Sequence, residues 1–295
     1  MAKKNKDKIN NNSSSNSSIN WFPGHMHKTL KELTDKIKLV DVVLYVLDSR
    51  APNSTLNPQF ETIISNKPVV FIFNKCDFVN VNELSKFTSK FDAEKENIRY
   101  TILDSTKPNA YKQIITSINE LMIKKLIRNK EKGINIPLRV MVIGVPNTGK
   151  STIINNFARK NKAETGNKAG VTRNIQWVKV DGNIELLDTP GTLWPKFDDK
   201  NVANHLAYIG SIKDEVLILT DLCYDFIDEL KDKYASLFLQ RYNVDTKDKQ
   251  TIKIYEEICQ KRGYFMKNKE YDYERCAKAI LDDFRKGRLG KIILD

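Results

Sequence analysis

The sequence predicts an α/β fold, a mostly parallel sheet with helices on both faces, followed by a small all-helical C-terminal region. Two observations carry this. Short continuous apolar runs, Val69-Val70-Phe71-Ile72-Phe73 and Leu138-Arg139-Val140-Met141-Val142-Ile143, each lead into a polar or glycine-bearing motif. That is the pattern of parallel strands buried on both faces, whose carboxyl ends carry ligand loops. Beyond about residue 200 the period changes, because Leu217, Ile218, Cys223, Phe226, Ile227, Leu230, Tyr234, Leu237 and Phe238 recur at helical spacing, as in helix packed on helix.

Taken in order, residues 1–19 are Lys, Asn and Ser with almost no apolar content and are expected to form a disordered tail. A helix is expected to begin near His27, and a first strand to precede Asp48. The run 69–73 ends in Asn74-Lys75-Cys76-Asp77. A strand Tyr100-Thr101-Ile102-Leu103 is followed by Asp104-Ser105-Thr106-Lys107, and the strand 138–143 by Gly144-Val145-Pro146-Asn147-Thr148-Gly149-Lys150-Ser151, with a helix opening through Thr152 to Phe157. Gly170-Val171-Thr172-Arg173 lies in a polar, lysine-bearing stretch suited to a mobile switch. The strand Ile184-Glu185-Leu186-Leu187 leads into Asp188-Thr189-Pro190-Gly191. The expected division is a tail over 1–19, a nucleotide-binding domain over 20–200 and a helical domain over 201–295, with later helices near 249–261 and 273–285.

Each motif has a physical reading. In the loop 144–151 the glycines let backbone N–H groups of Asn147, Thr148, Gly149 and the residues after them curl around α- and β-phosphates, Lys150 reaches the β/γ-phosphates, and the Ser151 hydroxyl ligates Mg²⁺. Thr152 continues the helix whose positive dipole end faces the phosphates. Asp77 accepts from the guanine N1–H and exocyclic amine, where adenine offers an acceptor and no amine, so the base is expected to be guanine. Asn74, Lys75 and Cys76 complete that motif, with the Lys75 stem over the ring, and Asp104 and Ser105 are expected at the base edge. Asp188 would hold Mg²⁺ through a water, Thr172 would be its second protein ligand, and the Gly191 N–H would point at the γ-phosphate.

The order of these pieces is that of a circularly permuted P-loop GTPase domain. The base-reading motif comes first, then the base loop, the phosphate loop, the switch and Asp188–Gly191. With Trp21-Phe22-Pro23-Gly24-His25-Met26, Asp48-Ser49-Arg50-Ala51-Pro52 and Asp188-Thr189-Pro190-Gly191-Thr192-Leu193-Trp194-Pro195-Lys196 added, the chain resembles the circularly permuted GTPases of the ribosome biogenesis GTPase A (YlqF/RbgA) family over nearly everything after residue 19. The resemblance implies a cytosolic GTPase that binds the large ribosomal subunit late in its assembly, with a helical C-terminal domain on ribosomal RNA. It also nominates His25 as a catalytic group, and Asn147 as a ligand of K⁺ standing where an arginine finger would supply charge. Neutral imidazole can orient water; a His25 that caps the helix near His27 is the competing reading. Many GTPases place glutamine after the Asp-x-x-Gly glycine, and this family an aliphatic residue, but here the position is Thr192.

The net charge of +12 and pI near 9.3 favour a polyanionic partner, although lysine and asparagine richness also arises from nucleotide bias. Segment 203–240 is acidic, whereas 241–295 is basic with 14 Lys and Arg against 10 Asp and Glu. Lys261-Arg262-Gly263-Tyr264-Phe265 reads either as a base-stacking turn or as a helix-junction plug. Arg285-Lys286-Gly287-Arg288-Leu289-Gly290-Lys291 reads as a flexible basic end. Cys76, Cys223, Cys259 and Cys276 show no paired metal spacing and are expected to be reduced thiols. No apolar run is long enough to span a bilayer, so a cytoplasmic protein without a membrane partner is expected, and a monomer. Expected ligands are GTP and GDP, Mg²⁺ and K⁺, and the expected partner is the large ribosomal subunit precursor with its rRNA. Two other functions fit the residues: a regulatory GTPase whose helical region binds protein, and a nucleotide-binding scaffold with little catalysis.

Overall fold

The computed structural model describes residues 24–64, 66–91, 96–161, 176–180, 183–195 and 197–295, the side chains of 24–27, 158–161 and 176 excepted. The tail, the Trp21-Phe22-Pro23 segment, the switch 170–173 with Thr172, and Lys196 lie outside the described residues. Among the described residues six strands, β1 (Val42–Asp48), β2 (Val69–Asn74), β3 (Ile98–Ile102), β4 (Leu138–Ile143), β5 (Gln176–Val180) and β6 (Ile184–Asp188), form one sheet in the order β3-β2-β1-β4-β6-β5. All neighbours are parallel except β5, which runs antiparallel to β6 at the edge.

Period-two alternation sorts the strand residues between two layers. Val43, Tyr45 and Leu47 of β1 face a core shared with α1 (Gly24–Lys36), α2 (Pro58–Ile64) and α3 (Ser85–Thr88), through Leu33, Phe60, Ile64 and Phe87. Val42, Leu44 and Val46 face the opposite core, closed by Ile114, Ile118 and Met122 of α4 (Ala110–Glu131) and by Ile153, Ile154 and Phe157 of α5 (Lys150–Asn161). Helix α1 begins at Gly24, three residues before the expected start, which places His25 within the helix and not at its cap.

The C-terminal region packs α6 (Lys200–Tyr208), α7 (Leu219–Leu230), α8 (Ala235–Tyr242), α9 (Thr251–Arg262) and α10 (Tyr273–Arg285) around Phe226, Phe238, Ile254, Ile258, Ile280 and Phe284. Its core is continuous with Ala51, Val145, Leu193 and Trp194 of the sheet region. The chain enters it through Trp194, whose ring meets Phe197 edge-on at 4.8 Å. It then returns: the Ile292 and Leu294 amides donate to the carbonyls of Phe78 and Arg50 at 3.2 and 2.8 Å.

The expected flexible basic end is ordered and mostly neutralised. Arg285 pairs with Asp214 at 2.8 Å and Arg288 with Asp283 at 2.6 Å. Gly287, at φ +71, lets the backbone approach the Phe78 ring, which would stand 2.7 Å from an added Cβ. Gly287 thus serves close packing, not flexibility.

A buried histidine helps to hold the regions together. His205 Nδ1 lies 2.9 Å from Ser54 Oγ and from Asp295 Oδ1, and Nε2 lies 2.9 Å from Glu229 Oε1. Burial alone would lower its pKa, but the hydrogen bonds and charges of Asp295 and Glu229 raise it to about 9. Because the folded value exceeds the unfolded one, near 6.5, the stabilisation is fully present below pH 6.5 and is lost as pH rises through about 9. Wild type should lose about 2 kcal/mol relative to His205→Gln across that window, after discounting for the partly exposed Glu229. Denaturant titration at pH 6 and pH 9.5 checks this, and an equal fall in both proteins would contradict it.

Candidate functional site

The carboxyl ends of β2, β3, β4 and β6 open on one side of the sheet and bring the predicted loops together. Asn74, fully buried at the end of β2, joins two of them: Nδ2 donates to the Thr148 carbonyl at 2.7 Å, and Oδ1 accepts from the Ser105 amide at 3.0 Å. The Asn156 amide closes the same corner by donating to the Ser105 carbonyl. Lys75 adopts the left-handed conformation at φ 61, which turns its chain across the phosphate loop. Its Nζ donates to the Asn147 carbonyl at 2.5 Å and pairs with Asp48 Oδ2 at 2.8 Å. Burial lowers its pKa against the pull of Asp48.

Cys76 and Asp77 lie in a 3₁₀ turn, Cys76–Phe78, tied to the base loop by the Cys76 amide on the Leu103 carbonyl at 3.3 Å. Burial and the facing Asp104 both raise the Asp77 pKa. Asp104 is fixed by accepting from the Thr106 amide at 2.8 Å and the Thr106 hydroxyl at 2.6 Å.

The phosphate loop is compact. Thr148 is buried, its hydroxyl donating to the Val145 carbonyl at 3.1 Å, and Gly149 at φ +96 lies so close to the Asn74 amide that a Cβ would overlap it. Lys150 Nζ donates to the Val145 carbonyl at 2.7 Å. Burial lowers its pKa to about 7, with Asp188 acting in the opposite direction. Ser151, half-buried, and Thr152, exposed, occupy the first turn of α5. Asp188 is buried at the end of β6. Gly191 packs against the phosphate loop, with Lys150 Nζ and Pro146 each 2.8 Å from where its Cβ would be. Thr192 Oγ1 is buried and has no hydrogen-bond partner among the described residues. Of the predicted set, only the His25 side chain and Thr172 fall outside the described atoms.

Two features are not readable from the motifs. The helical region touches the phosphate loop directly: Ser211 Oγ donates to the Pro146 carbonyl and Asn147 Nδ2 to the Ile209 carbonyl, each at 2.6 Å. The second is the buried Asp48, which receives Arg50 Nε at 2.9 Å and Nη2 at 2.7 Å as well as Lys75. Burial opposes its ionisation, but Arg50 and Lys75 outweigh that and hold its carboxyl well below the usual carboxylate range. The only sequence signal was the Asp48–Pro52 motif, which carried no role. In the segment 261–265 the two aromatic residues differ in burial, and the Phe265 ring stacks on Tyr271 at 5.5 Å. Tyr264 packs beneath Arg275 at 4.9 Å and borders the helical core, while Phe265 is 43% exposed.

Residues 139–267 match the family model described as 50S ribosome-binding GTPase. The chain is 37% identical to the ribosome biogenesis GTPase A of Bacillus pumilus over 94% of its own length and 98% of that protein's. It is 38% identical to the protein of the same name from Bacillus licheniformis, over 93% and 96%. In fold it resembles the crystal structure of GNP-bound YlqF from T. maritima, at a TM-score of 0.63 and 24% identity, covering 91% of this chain and 97% of that one.

Proposed function

This chain belongs to the ribosome biogenesis GTPase A family, and from that premise we propose that it hydrolyses GTP to GDP and phosphate while bound to a precursor of the large ribosomal subunit. The observation that supports this most is Asn74, which joins the phosphate loop and the base loop into one corner through Thr148 and Ser105. In that corner Asp77 accepts from the guanine donors, Lys75 lies along the ring, and the amides of 147–151 hold the phosphates. Competition with a fluorescent GDP tests the base assignment: GTP and GDP should displace it, and ATP displacing it equally would refute the reading.

The donor set fits a divalent metal. Ser151 offers a hydroxyl and Asp188 a buried carboxylate, both hard oxygens of the kind Mg²⁺ takes. Thr172 is the proposed third group. When bound, Mg²⁺ neutralises developing charge on the β- and γ-phosphates. Lys150 does the same from the protein, and the Gly191 N–H is proposed to bond a γ-phosphate oxygen. Water attacks the γ-phosphorus in line, the bond to the β–γ bridging oxygen breaks, and GDP leaves with that electron pair. We assign water orientation to His25, with Thr192 Oγ1 as the alternative group; its buried hydroxyl, without a partner among the described residues, favours it over a purely structural threonine.

K⁺ is proposed at Asn147. The amide donates to Ile209 through Nδ2, so the atom a cation requires, Oδ1, is the other end of the group. Wild type should hydrolyse GTP several-fold faster in K⁺ than in Na⁺, within the roughly 10³-fold range that a cationic finger can supply, and Asn147→Ala should show no preference. Equal rates for wild type in the two salts would remove K⁺ from the account.

Residues 20–200 are proposed as the permuted GTPase domain and 201–295 as the ribosome-binding domain, with Lys261, Arg262 and the exposed Phe265 as candidate RNA contacts. No described helix is long and apolar enough to cross a membrane, and we propose a cytoplasmic monomer. After Gly191 the chain passes through Trp194 into the helical core, so loss of the γ-phosphate is proposed to reorient that domain and release the particle.

A further inference from the structure

Arg50 has almost no contact with solvent, at 1% exposure, and it connects two parts of the molecule that share no motif. On one side its fork grips Asp48 through Nε and Nη2. On the other, Nη1 donates to the carbonyls of Phe284 and Arg285 at 3.4 and 3.2 Å. These are the last residues of α10, at the negative end of the helix dipole; the Phe284 carbonyl also accepts from the Gly287 amide at 3.0 Å. The guanidinium also lies between two rings, 5.1 Å from the Phe78 centroid and 5.0 Å from that of Phe284, an arrangement that favours a buried cation. Asp48 also accepts from the Arg50 amide at 3.1 Å and pairs with Lys75, whose Nζ rests on the Asn147 carbonyl.

We propose that Asp48 and Arg50 are positioning residues that make guanine-nucleotide affinity depend on the docking of the helical region, by setting Lys75 against the phosphate loop. The inference rests on the reading of Lys75 as a guanine contact. A fully buried carboxylate between two cations has few alternative arrangements, because moving either cation leaves the buried charge of Asp48 less compensated. Displacement of the end of α10 therefore takes the carbonyls and the Phe284 ring away from Arg50, loosens its grip on Asp48, and frees Asp48 to draw Lys75 from Asn147. This path is separate from the covalent one through Trp194. By linkage, a partner that shifts α10 changes nucleotide affinity, and nucleotide changes affinity for that partner by the same factor.

A double-mutant cycle on GDP affinity tests the relay, using Lys75→Ala, Arg50→Met and the pair in the full chain. Each single change should raise the GDP dissociation constant about tenfold, and the pair should also raise it about tenfold, since both break one path. Arg50→Lys, which keeps the charge without the fork, should recover part of the loss. Where Arg50→Met does not fold, the cycle is run with Arg50→Lys. Two single effects that multiply to about a hundredfold in the pair would overturn the relay, as would an Arg50 variant that binds GDP like wild type. Failure of wild type itself to bind GDP, or a Lys75→Ala variant that binds normally, would instead sink the nucleotide reading beneath it.

Discussion

Lys150→Ala should lower kcat for GTP hydrolysis by about 10²–10³, the usual loss when one preorganised positive donor is removed from developing phosphate charge. The size follows from placement. Lys150 is buried, Asp188 is the carboxylate that most favours its charge, and Gly191 packs on its ammonium. Its present bond is to a carbonyl of its own loop, Val145, which also accepts from the Thr148 hydroxyl at 3.1 Å, so deletion removes a buried cation and leaves that acceptor paired. Stability without nucleotide should therefore change little, which separates a chemical defect from an unfolded protein. Single-turnover phosphate release with thermal melting in parallel measures both. A variant that melts normally and turns over at the wild-type rate would remove Lys150 from the mechanism.

Asp77→Asn should cut GTP affinity by roughly 10²–10⁴, because a site built to accept two donors rejects a base once one acceptor becomes a donor. Xanthine presents a carbonyl where guanine presents its amine, so the same variant should bind XTP more tightly than GTP. The structure leaves Asp77 poised for this exchange. It sits in a short turn fixed at Leu103, and its pKa is raised by burial and by Asp104. Hydrogen-bond donors from a base would offset both effects. An Asp77→Asn protein that keeps its preference for GTP over XTP would contradict the assignment.

Much of the sheet was legible because buried parallel strands are apolar runs with motifs at one end. β4 matches its expected run of 138–143, and β2 and β6 extend theirs by one residue, to Asn74 and Asp188. β3 lies two residues earlier than expected at its start, as its side chains are all half-buried and the apolar signal is weak. The helix α4 is hard to read because exposed Ile123 and Ile127 blur the buried stripe of Ile114, Ile118 and Met122. α10 was legible from Tyr273 to Arg285, since its apolar face is clean.

The nucleotide loops were legible residue by residue, whereas their supports were not. Arg285 reads as a free basic residue until the fold brings Asp214 to it across 71 positions. Arg50 reads as a loop arginine until α10 closes over it. Sequence identifies charged residues but does not say which of them the fold will bury together, and that pairing decides whether a charge faces a partner or holds the core. The contact of Ser211 with Pro146 is likewise a product of docking.

Ribosome-dependent hydrolysis is measured in K⁺ buffer as GTP turnover with and without purified large ribosomal subunits, with ATP as the control nucleotide. Stimulation by the subunit of roughly tenfold or more is expected, with no hydrolysis of ATP. GTP that is bound tightly yet hydrolysed at the same slow rate with and without the subunit would contradict it, and would move the protein to a switch for another partner or to a scaffold.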